Sequence, residues 1–72
     1  MARRESVQSL CAVARRAGRC LVVLGESNTA ILCEFNHRSG LFTWFVDGYQ
    51  CPPGHIPYLL EQLQDEPAQE RT

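Results

Sequence analysis

The chain has 72 residues, 44% hydrophobic and 21% charged, with a formal net charge of −1. That composition is globular rather than disordered, and it leaves room for one domain, residues 1–72, around one small core. The near-neutral balance excludes bulk attraction to nucleic acid or to an anionic membrane.

All seven basic residues are arginine, so there is no lysine to form a Schiff base. No apolar run approaches the roughly 20 residues that span a bilayer. The arginines near the N-terminus precede no continuous apolar stretch of the signal-peptide kind. The expectation is a cytoplasmic protein whose cysteines, Cys11, Cys20, Cys33 and Cys51, remain free thiols.

Taken in chain order, residues 4–17 (RESVQSLCAVARRA) have a helical period. Val7, Leu10, Cys11, Ala14 and Ala17 recur at spacings of three and four and form one apolar stripe. Gly18 supplies a left-handed stop. At about 100° per residue, Arg4, Arg15, Arg16 and Arg19 gather on one flank of this helix, with Arg19 at or just past its end. Residues 20–24 (CLVVL) predict a short strand, closed by the turn composition of Gly25-Glu26-Ser27-Asn28. Residues 29–35 and 41–47 predict two more strands across a loop of hairpin length, in an antiparallel meander.

The stretch GYQCPPGHIPY, residues 48–58, reads as a stiff connector. Gly48 breaks the third strand, and Pro52 and Pro53 have no N–H to offer a ladder. Pro57 suits the first position of a second helix, whose apolar stripe is Ile56, Leu59, Leu60 and Leu63. Pro67 ends that helix, and residues 67–72 are expected to fray. The fold class is therefore α+β: α-β-β-β-α, a three-stranded antiparallel sheet with two helices packed on one face.

Two Cys-x-x-x-His pairs, Cys33 with His37 and Cys51 with His55, offer a tetrahedral thiolate and imidazole set for zinc. The spacing is not that of common fingers or ribbons, and Cys33, between Ile31 and Phe35, suits a small core hydrophobe. The expectation is no metal and no cofactor, with the zinc-stabilised domain as the lesser alternative. Cys51 and His55 also have the types of a nucleophile and its base. Nothing nearby in sequence supplies an orienting partner or an oxyanion site, so no catalytic residue is expected.

The arginine flank raises nucleic-acid binding as an alternative. In element order alone, over most of its length, the chain resembles the double-stranded-RNA-binding domain. That resemblance implies a basic phosphate grip at the start of the second helix. Here that helix reads PYLLEQLQDE, acidic at Glu61, Asp65 and Glu66, and departs from the pattern.

The strands carry the most information. Ile31, Cys33 and Phe35 share a face with Phe42, Trp44 and Val46, which suits the core beneath the helices. Leu32, Leu41 and Phe45, with part of CLVVL, share the other face, which two helices cannot also cover. Adjacent apolar residues left uncovered mark an interaction surface. Tyr58, Glu61 and Asp65 form a further stripe on the second helix, opposite its leucines.

The functional expectation is a non-catalytic protein-binding module that occupies a surface of a larger macromolecular partner. It would self-associate as a homodimer through the open sheet face. Small size without a motif also fits inhibitors of host machines of the kind encoded by phages and mobile elements.

Overall fold

The computed structural model describes residues 5–64. Their order is α1 (Val7–Ala17), β1 (Arg19–Leu24), β2 (Thr29–Asn36), β3 (Leu41–Val46), β4 (Tyr49–Cys51), a 3-10 turn (Pro53–His55) and α2 (Ile56–Gln64). The strands form one antiparallel sheet in the order β1-β2-β3-β4. The α+β class with two helices on one sheet face is as expected, but the sheet has four strands where three were expected. Arg4, Asp65 and the tail from Pro67 lie outside the described residues.

The helix α1 is bounded by side-chain chemistry at both ends. Ser6 is its N-cap and accepts from the Ser9 backbone N–H at 3.1 Å, while the Ser9 hydroxyl oxygen accepts from the Ser6 N–H at 2.9 Å. This reciprocal box satisfies donors that a helix start leaves unpaired. Gly18, at φ 94°, ends the helix by donating its N–H to the Ala14 carbonyl at 2.7 Å. Arg15 and Arg16 fall in the last turn, where their charge complements the helix dipole.

The extra strand follows from a turn. Asp47 (φ 52°) and Gly48 (φ 88°) both lie in the left-handed region between paired residues Val46 and Tyr49. A two-residue Asp-Gly loop with both φ positive is the hairpin turn that matches strand twist. The Asp47 N–H donates to the Ala30 carbonyl at 2.8 Å, and its carboxylate accepts from the Ala30 N–H at 3.0 Å. Gly48 therefore reverses the chain instead of ending the sheet. Residues 49–51 form β4, and Pro52 and Pro53 then stop it.

The core is a single cluster of Leu10, Ala14, Ile31, Cys33, Trp44, Ile56, Leu60 and Leu63. Both helices contribute to it, and its sheet residues are the expected inward set. Trp44, only 3% exposed, sits between Cys33 on β2 and Cys51 on β4. At the open end of the layer, Gln64 clamps the two helices together. Its amide donates to the carbonyls of Glu5 at 2.9 Å and Leu60 at 3.1 Å, and its oxygen accepts from the Glu5 N–H. Among the described residues no polar or charged side chain is buried.

Candidate interaction surface

The side of the sheet away from the helices is built by strict alternation. In β1, Arg19, Leu21 and Val23 are exposed while Cys20, Val22 and Leu24 turn toward the helices. The register sets Leu21 opposite Leu32 and Leu32 opposite Phe45, with Gln50 of β4 completing the row. Val23 pairs with Ala30 beside this row. Leu21 is 62% exposed, Val23 55% and Leu41 67%, while Leu32 and Phe45 are half-buried by their neighbours.

Polar residues border the patch: Arg19, Glu34 and Thr43 form the next row on one side. A shallow hollow of about 280 Å³ lies over the patch, lined by Leu21, Ala30, Leu32, Glu34, Phe45 and Gly48. An apolar centre with a polar border is the anatomy of a protein-contact surface. Leu32, Leu41 and Phe45 thus lie on one face. Leu41 is displaced toward the β2–β3 turn, where it pairs with Asn36, and Thr43 separates it from Phe45 on β3. Leu21 and Val23 were not singled out from the sequence, because CLVVL is apolar at every position and hides its own alternation.

The arginine flank is not assembled as expected. Gly18 ends α1, so Arg19 begins β1 and sits on the open sheet face opposite Glu34. Arg15 lies over the rings of Phe42 and Phe35, 5.6 and 6.0 Å from their centroids. That is cation–π packing across the edge of the helix-covered layer. His37 meets the Phe35 ring edge-on at 4.9 Å. Arg16 is exposed. On α2, Tyr58 and Glu61 are exposed. Glu61 lines a second hollow of about 410 Å³, between α2 and the start of α1, with Glu5, Val7, Pro57 and Leu60.

Cys33, His37, Cys51 and His55 are not brought together as one set. Cys33 and Cys51 lie on strands separated by β3, with Trp44 opposite both. Two inter-strand steps put their backbones about 9–10 Å apart. Two thiolates on one zinc, each about 2.3 Å from it, lie only about 4 Å apart. His37 belongs to the β2–β3 turn, while His55 ends the 3-10 turn and is exposed. The Cys51 thiol donates to the Pro52 carbonyl at 3.6 Å. Among the described residues no group of three or more His, Cys, Asp or Glu side chains has an arrangement able to hold a metal ion.

Three thiols do cluster elsewhere. Cys20 pairs directly with Cys33 across β1 and β2, and Cys11 of α1 packs against the core that contains Cys33. Burial, reinforced by Cys11 and then Cys20, pushes the Cys33 thiol up to about 12. Burial and the charge of Glu5 also raise Cys20. Raised thiols are protonated at neutral pH and make weak nucleophiles. The cluster has the character of packing.

No family model, curated protein or solved structure matches the chain. No helix among the described residues is long and apolar enough to cross a membrane.

Proposed function

We propose that the protein is a non-catalytic binding module that docks on a larger protein partner through the open face of its sheet. The observation that supports this is the contiguous row Leu21–Leu32–Phe45, uncovered by any described element and bordered by Arg19, Glu34 and Thr43. Burying such a row yields roughly 25 cal/mol per Å² before the costs of association. The charged border supplies orientation and on-rate more than affinity.

Acting this way, the module works by occlusion: a small rigid sheet covers part of a larger surface. Inhibition of a host machine, as by small phage or mobile-element proteins, is the mode of action such occlusion suits. A reducing, cytoplasmic setting agrees with four free thiols. Of the four arginines behind the nucleic-acid alternative, Arg16 is the one left on the helix surface among the described residues, since Arg19 faces the other way and Arg15 is engaged with Phe35 and Phe42.

The test is retention of partners from native-cell lysate on immobilised protein, comparing the unmodified chain with Phe45→Glu and Glu61→Arg. Loss of the retained protein with Phe45→Glu alone is expected. Equal retention by all three would overturn the reading. Retention of nucleic acid that weakens steeply with salt would favour the arginine alternative.

A further inference from the structure

The two edges of the sheet are not equivalent. The edge strand β4 has three residues and runs into Pro52 and Pro53, which cannot pair. The other edge, β1, has six residues, RCLVVL, and pairs only with β2 among the described strands. It carries no proline, glycine or lysine, and its one charge is at the first position. Edge strands in soluble proteins are normally blunted by the devices that β1 lacks.

The backbone polarity of β1 follows from the ladder. Phe35 donates its N–H to the Gly18 carbonyl at 2.9 Å, just before Arg19 comes opposite Glu34. Antiparallel bonds alternate, so Cys20, Val22 and Leu24 bond β2. Arg19, Leu21 and Val23 then turn their N–H and C=O groups outward, along the free edge.

We propose that the chain forms a symmetric dimer by antiparallel pairing of β1 with β1 of a second copy, joining two four-stranded sheets into one continuous sheet. The strand is complementary to itself in this direction. Centred on Val22, the pairing sets Leu21 opposite Val23 of the second copy, and Cys20 opposite Leu24. Side chains keep their faces, so both exposed apolar patches become continuous across the seam.

Charge agrees with the same direction. Arg19 precedes the apolar run and Glu26 follows it. Antiparallel pairing brings each Arg19 alongside the other copy's Gly25–Glu26 turn, whereas parallel pairing would set Arg19 beside Arg19. A two-fold pair of this kind is closed, leaving the blunted β4 edges at its ends. It also differs from the face-to-face stack that the sequence suggested. That stack would bury Leu32 and Phe45, whereas edge pairing leaves them open on a doubled surface. The dimer does not depend on that surface having a partner.

The experiment is sedimentation over a range of concentrations, with amide exchange followed residue by residue. The unmodified protein is expected to dimerise, with the Leu21 and Val23 amides slow to exchange at high concentration and fast on dilution. Val23→Pro removes an N–H that faces outward, so it spares the β1–β2 ladder and blocks the edge. It should raise the dimer dissociation constant by about tenfold or more, with an unchanged circular-dichroism spectrum.

Val23→Lys, at an exposed position, gives the same result should the proline variant fold poorly. Leu41→Lys, on the same face but far from the seam, should remain dimeric. A protein monomeric at every concentration would overturn the proposal. So would a dimer that survives both Val23 variants, one that is lost with Leu41→Lys, or one whose Leu21 and Val23 amides exchange freely.

Discussion

Leu32 and Phe45 lie directly opposite each other on β2 and β3, on the side of the sheet that no described element covers. Their neighbours Cys33 and Trp44 form the next pair and are wholly inside the core. One step along the strand thus separates packing from recognition, and the two can be perturbed independently. Phe45→Glu should cost only about 1–2 kcal/mol of stability, from one cross-strand row and half-buried area. Chemical denaturation checks this, and a folded Phe45→Glu protein that no longer binds its partner is the expected outcome.

Trp44→Ala should be far more damaging. Its indole is 3% exposed and lies between Cys33 and Cys51 beneath the helices. Removing a buried aromatic costs about 3–5 kcal/mol, comparable with the whole stability of a small domain. Loss of the cooperative thermal transition near room temperature is the expected readout.

The helices and the two faces of the central strands were legible in the sequence, because their periods are clean. Ile31, Cys33 and Phe35 alternate against Leu32 and Glu34, and Phe42, Trp44 and Val46 against Leu41 and Phe45. Three things were hidden. The Asp47-Gly48 pair is a hairpin signal, but the prolines that follow leave β4 only three residues, too short to show a pattern. Arg19 continues the basic face of α1 on a helical wheel, yet Gly18 has already turned the chain into β1. The first turn of α2 also begins at Ile56, one residue before Pro57, because the 3-10 turn delivers the chain already coiled.

The hairpin that creates β4 has its own test. Gly48 holds φ 88° with open space around it, so an added methyl meets no neighbour and only the backbone conformation is penalised. Gly48→Ala should therefore cost about 1–2 kcal/mol. The loss should be local, seen as faster amide exchange at Tyr49 and Cys51 with β2 and β3 protected.

The N-cap of α1 is a second local device. Ser6→Ala removes the acceptor for the Ser9 N–H and half of the reciprocal box. A loss of about 1 kcal/mol is expected by denaturant titration, without change in the sheet amides.

Alkaline pH should weaken the fold through Cys33. Its folded-state thiol is held near 12 against an ordinary 9.0. Below 9.0 the folded and unfolded thiols are both protonated, and the contribution is fully present. Between 9.0 and about 12 the unfolded thiol ionises while the buried one does not, so stability falls as pH rises through that window. Denaturation midpoints should show a smaller fall for Cys33→Ala than for the unmodified chain. Cys33 should also be the last of the four thiols to alkylate under native conditions.

The most direct measurement of the binding account is photo-crosslinking in the native cell, with a benzophenone side chain placed in turn at Leu41, Phe45 and Tyr58. Leu41 and Tyr58 are similarly exposed, at 67% and 60%, but Leu41 belongs to the open sheet face and Tyr58 to a helix of the other layer. Adducts to one larger protein from positions 41 and 45, with none from 58, are the predicted result. Adducts from position 58 alone, or none from any position, would contradict it.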